Sequence, residues 1–66
     1  MAKRLEIDRW VLEIDDEAGA AYLYTNGVIP DGGVAFTRSV NNDKVGGQVN
    51  VDYGFNNEML GVEIIL

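Results

Sequence analysis

The strongest constraint on this chain is a two-residue periodicity in its last third. Over residues 48–53, Val49, Val51 and Tyr53 alternate with Asn50 and Asp52. Over residues 59–66, Leu60, Val62, Ile64 and Leu66 fall on one side, Glu63 and Ile65 on the other. Successive side chains of an extended strand point to opposite faces, so each stretch reads as a strand with one face toward a core. Residues 54–58 read as the turn that closes them into a hairpin. Asn56-Asn57 suits that turn, because asparagine tolerates the left-handed conformation better than other non-glycine residues.

Earlier segments repeat the pattern. Over residues 20–25, Tyr22 and Tyr24 share one face, Ala21 and Leu23 the other. Over residues 34–40, Val34, Phe36 and Val40 form an apolar face opposite Ala35, Thr37 and Ser39. Arg38 falls on that apolar face near its edge, where its stem can pack while the guanidinium reaches water. Turn signals separate the strands: the acidic run 15–17 followed by Ala18-Gly19, then Asn26-Gly27, then Pro30-Asp31-Gly32-Gly33, then the polar loop 41–47. Residues 5–14 fit two templates. Ile7, Trp10, Val11 and Ile14 have helical spacing, whereas Trp10, Leu12 and Ile14 alternate as a strand does. Aromatic and β-branched content favours a strand over 10–14. The expected fold class is mainly β: a small antiparallel curled sheet of about five strands. Residues 1–66 make a single domain, in which 1–8 form an N-terminal arm or a short helical turn.

A domain this small buries only about 60% of the surface its unfolded chain exposes, so its core is thin. Such scaffolds gain stability from disulfides, metals or self-association. The sequence has no cysteine and no histidine, which excludes disulfides and the commonest zinc sites and leaves self-association. Eleven acidic residues against five basic ones give a net charge of -6. That charge repels phosphate backbones, so no nucleic-acid partner is expected. The acidity reads as a solvated surface or, more sharply, as a surface for a basic protein. No apolar run approaches the ~20 residues that span a bilayer, and no apolar stretch follows Lys3-Arg4 as a secretory signal requires. A cytoplasmic location without membrane contact is expected.

Little in the sequence carries chemistry. Ser39, Thr25 and Thr37 lack a histidine to activate them. The glycine pairs at 32–33 and 46–47 lack the lysine and following helix of a phosphate cradle. Asp52 and Glu63 project from the polar faces of neighbouring strands, and Asp15, Asp16 and Glu17 cluster in one turn. No calcium-loop spacing is present, and the chain leaves little room for a pocket. These carboxylates read as a solvated face. The reading is therefore no catalytic residue, no metal ligand and no cofactor. Most aromatic residues read as packing. Phe55 falls in the hairpin turn, where its ring either folds back onto the sheet or meets a partner.

Two stretches resemble a known family. The strand Val49-Asn50-Val51-Asp52-Tyr53, a turn, and Leu60-Gly61-Val62-Glu63-Ile64-Ile65 are similar to the signature of the YuzE-like domains of bacteria, archaea and their phages. In that family a V-N-V-D-Y-D strand leads to L-V-G-I-E-I-L. Ile14-Asp15-Asp16-Glu17-Ala18-Gly19-Ala20-Ala21-Tyr22-Leu23 resembles its Y-D-x-E-A-D-A-L-Y-I opening. The resemblance covers residues 10–66 in the same order. It departs at Gly54, where the family has aspartate, at Asn57, where it has glycine, and in a longer, glycine-rich middle. It implies a compact β-rich fold and no activity.

The function expected is a small non-catalytic protein-interaction or homo-oligomerising module. The alternative is an acidic inhibitor of a basic enzyme, antitoxin-like or a nucleic-acid mimic. A homodimer through the C-terminal strand, read as a sheet edge, is expected, because Ile65 opposes Ile64 and Leu66 and leaves the end of that strand apolar on both faces; the competing reading is that the N-terminal arm, Leu5 to Ile7, folds over Ile65 in the same chain. The interaction surface expected comprises Phe55, Ile65, Leu66, Tyr22 and Tyr24.

Overall fold

The structure, a computed structural model, describes residues 2–42 and 47–65. The fold is mainly β, and no helix occurs among the described residues. Six strands form one antiparallel sheet: β1 (Ala2–Ile7), β2 (Trp10–Asp15), β3 (Ala20–Tyr24), β4 (Phe36–Asn42), β5 (Gly47–Tyr53) and β6 (Met59–Ile65). Their order across the sheet is β1-β2-β3-β6-β5-β4. Two three-strand meanders thus meet along the β3–β6 seam. Residues 25–35 run across one end of the sheet, from the last residue of β3 to the first of β4 on the far edge.

The small curled antiparallel sheet is therefore what the chain adopts, with six strands where about five were expected. The sixth is β1. The segment expected as an arm or helical turn pairs with β2 from Ala2↔Asp15 to Ile7↔Trp10. Its own alternation explains this: Leu5 and Ile7 share a face with Leu12 and Trp10, while Arg4 and Glu6 share the other with Glu13 and Val11. The helical spacing of Ile7, Trp10, Val11 and Ile14 would have put Val11 beside Trp10. In the sheet the two lie on opposite faces. Asp8 and Arg9 make a two-residue turn, with Asp8 at φ 56°.

The expected turns hold with small shifts. Asp15 Oδ1 accepts the Ala18 N–H at 3.2 Å, and Gly19 takes φ 67°. Pro30 C=O accepts the Gly33 N–H at 2.9 Å, with Gly32 at φ 73°, so Pro30 takes the first position of a turn over residues 30–33. The β4 strand begins at Phe36 instead of Val34, although the Ala35 N–H still bonds Tyr53 C=O at 2.8 Å. The polar loop is shorter than expected, because β4 runs to Asn42 and β5 starts at Gly47. Gly46 and Leu66 lie outside the described residues.

One expectation is overturned. The C-terminal strand is not a sheet edge: β6 is hydrogen-bonded to β3 on one side and β5 on the other. Both of its sides are thus paired within the chain. Nor does the N-terminal segment fold over Ile65, since β2 and β3 separate β1 from β6. The edges are β1 and β4.

Candidate interaction surface

Strand register sorts the side chains into two unlike faces. On the first, Glu13, Tyr22, Glu63, Asn50 and Ser39 lie side by side across five strands. One step along, Val11, Tyr24, Gly61, Asp52 and Thr37 form a second row. On the opposite face lie Leu5, Ile7, Trp10, Leu12, Ile14, Leu23, Val62, Ile64, Val49, Val51, Phe36 and Val40, with Lys3 and Arg38 on the two outermost strands.

The polar face is cross-braced by hydrogen bonds. The Tyr22 hydroxyl donates to Asp52 Oδ2, and Thr37 Oγ1 donates to Asp52 Oδ1. Tyr22 stands on β3 and Asp52 on β5, so the ring must cross β6 to reach. It crosses at Gly61, where a Cβ would lie 2.6 Å from the Tyr22 hydroxyl oxygen and 2.8 Å from Cζ. A glycine inside a strand often marks such a close approach. Tyr24 packs against Tyr22 with ring centroids 4.5 Å apart. In the next row Asn50 Nδ2 donates to Glu63 Oε1 at 3.0 Å. Asn50 Oδ1 accepts from Ser39 Oγ at 2.8 Å and Gln48 Nε2 at 3.1 Å.

Burial raises the Tyr22 pKa well above the ordinary tyrosine value, with the Asp52 hydrogen bond and the negative charges nearby adding to it. The phenol therefore stays protonated at neutral pH and serves as a neutral donor. Asp52 has both oxygens engaged by hydroxyls. This arrangement ties four strands together. It holds no free nucleophile beside a base, and no cluster of three or more metal-binding side chains occurs among the described residues.

A β-bulge sits beside this row. Asp52 lies opposite Gly61 but Tyr53 lies opposite Met59, which leaves Leu60 as an extra residue on β6. Thr25 satisfies the carbonyls there: its N–H bonds Leu60 C=O at 3.1 Å, and its hydroxyl donates to Met59 C=O at 2.8 Å. A wide-open hollow of about 570 Å³ is lined by Ile7, Asp8, Arg9, Trp10 and Thr25 at the end of the sheet. It lies away from the polar rows, and its one hydroxyl is the Thr25 group already engaged.

The opposite face is exposed in part, with Leu12, Leu23, Val49, Val51 and Val62 half-buried. Ile7 is 75% exposed, Trp10 55% and Ile64 40%. Leu5, Phe36 and Val40 are exposed as well. Phe36 stacks on Tyr53 at 4.9 Å, so the aromatic pair covers itself in part. Leu5, Ile7, Trp10, Leu12 and Leu23 line a shallow hollow of about 190 Å³. Val11, 5% exposed, is the sole buried large apolar side chain among the described residues, and it belongs to the other face. A sheet that is apolar on one face is stable when a second layer covers it. The described chain supplies one layer.

The surface expected from sequence is brought together in part. Tyr22 and Tyr24 do meet, but as part of the polar face. Ile65 lies on that same face opposite Ala20 and Gln48, at the far end of β6 from the hairpin turn. Phe55 occupies that turn, 75% exposed, so its ring does not fold back. Leu66 lies outside the described residues. Leu5, Ile7 and Trp10, which the sequence assigns to an arm and to packing, belong instead to the broad apolar surface. Their signal was the alternation of β1, which the helical template over 7–14 obscured. No family model, no curated protein and no solved structure matches the chain.

Proposed function

We propose that this protein is a non-catalytic interaction module of the YuzE-like kind, which works by presenting one apolar sheet face to another protein layer. The uncovered face running from Leu5 and Ile7 on β1 to Val40 on β4 carries this reading. Monomeric proteins seldom expose contiguous apolar patches beyond a few hundred Å² unless the patch is functional. The groups that could do chemistry are engaged with one another, as Asp52 is with Tyr22 and Thr37. Of the strings that carry the family resemblance, those at 49–53 and 60–65 lie on β5 and β6, which are neighbours.

Ile7→Lys tests the reading, because a side chain so exposed makes few contacts within its own chain. Native gel migration of the tagged full chain in cell extract is the measurement. Wild type should run in a species larger than one chain, and Ile7→Lys should run as one chain. A wild type that runs as a single chain overturns the interaction role. Turnover of generic ester, phosphate or glycoside substrates that is lost in Asp52→Asn overturns its non-catalytic half.

A second reading, an acidic inhibitor of a basic enzyme, draws on the charge of the other face. There Glu6, Glu13, Asp15, Asp52 and Glu63 share the face with Arg4, the one basic residue on it among the described residues. It expects salt-sensitive binding to a basic protein, weakened by Glu13→Lys and untouched by Ile7→Lys. The reverse pattern overturns it.

A further inference from the structure

We infer that the layer covering the apolar face is the same face of a second copy, two sheets stacked face to face with their polar faces outward. This rests on the docking role proposed above and names its partner.

Three observations lead there. The first is size. The longest two dimensions of the molecule are 31 and 25 Å, an outline on the order of the ~800 Å² that each partner brings to a stable interface. One further layer of the same extent covers the face, and a second copy has that extent. Sheets that stack face to face keep their strands within about 30° of each other because both are twisted in the same sense. Two copies of one sheet meet that condition without adjustment.

The second is the placement of charge. Among the described residues, the apolar face carries two charged ones, Lys3 on β1 and Arg38 on β4, which are the outermost strands. The four strands between them contribute none to that face. Charged side chains turned inward on edge strands oppose growth of a sheet through its edges. At the rim of a stacked pair, long stems cover apolar surface while the cations reach water. The same two residues thus disfavour edge pairing and leave face stacking open.

The third is the burial within one copy. Apart from Val11, every large apolar side chain among the described residues is at least partly exposed. Stacking turns Trp10, Leu12, Val62 and Ile64 into the middle of a two-layer core, which is the arrangement in which β-sandwiches keep their apolar residues.

The test uses the purified full chain. Light scattering across a dilution series should give twice the chain mass, and the single tryptophan, Trp10, should become less accessible to acrylamide as the dimer forms. The chain has no cysteine, so introduced ones report singly. Ile64→Cys should be protected from a thiol reagent at least tenfold relative to Ser39→Cys on the polar face, in protein that remains dimeric. Ile64→Lys should dissociate the dimer. Should that variant unfold, the cysteine comparison still decides, because it perturbs little. A folded monomer at high concentration overturns the second copy, as does a dimer in which Ile64→Cys reacts as fast as Ser39→Cys. Apolar-dye binding then separates the two ideas. A monomer that binds the dye keeps a docking face for another partner, and one that binds none removes the docking role as well.

Discussion

Tyr22 reaches Asp52 because Gly61 leaves its ring a path across β6. Gly61→Ala puts a methyl group where the ring lies, so the ring must lift and its hydrogen bond must break. The expected cost is about 2–3 kcal/mol, combining overpacking with one lost hydrogen bond. In a Tyr22→Ala background the three atoms nearest to that methyl group are gone, and Gly61→Ala should cost well under half as much. A double-mutant cycle from urea melts measures that coupling, and additive costs would contradict the geometry. The phenol also sets a pH dependence. Its pKa is raised on folding, chiefly by burial, so the folded state keeps a proton that the unfolded chain releases near pH 10. Above that pH the unfolded state binds fewer protons, and stability falls as pH rises. Below it the contribution is fully present. Tyr22→Phe should lose about 1 kcal/mol at neutral pH and show a shallower decline than wild type above about pH 10. Identical slopes would mean that the phenol is not held in its neutral form.

The β5–β6 hairpin shows how an element closes. Gly54 C=O accepts the Asn57 N–H at 3.1 Å, and Gly54 N–H bonds Glu58 C=O at 2.9 Å. This is a three-residue loop in which a turn is followed by a left-handed residue, and Asn57 takes that place at φ 63°. Asn57→Val should destabilise by about 1–2 kcal/mol, the cost of a branched residue in the left-handed region. Asn57→Gly should change stability by less than about 0.5 kcal/mol. Urea midpoints at constant slope measure both, and a silent Asn57→Val would contradict the turn assignment. This element was legible in sequence, because the alternation of 48–53 and 59–66 and the tolerance of asparagine are local properties. So was β3. The first strand was not, because Ile7, Trp10, Val11 and Ile14 satisfy a helix as well as a strand does, and only pairing with β2 decides between them. The β3–β6 seam was not legible either. It joins residues about forty apart, and nothing local to Tyr22 announces Gly61 or Asp52. The two faces could be read strand by strand, but the uncovered state of one face depends on all six strands lying in a single layer.

At the scale of the whole molecule, the question is where the core resides. A monomer with an internal core unfolds in a unimolecular step, and its midpoint temperature does not depend on concentration. A folded state completed by a second copy unfolds to two chains, and mass action then raises the midpoint with concentration. A hundredfold concentration range should shift it by roughly 5–10 °C for a domain of this size. Scanning calorimetry on the full chain measures the shift. Ile64→Lys on the apolar face should flatten the dependence together with lowering the midpoint. Glu13→Gln, on the polar face opposite Tyr22, should leave the dependence as steep as in wild type. The pair of variants matters, because any destabilising change lowers a midpoint, whereas only a change at the shared face alters its slope with concentration. A wild-type midpoint constant across that range would place the stabilising contacts within one chain, and the exposed Trp10 and Ile7 would then need no partner to hold the fold.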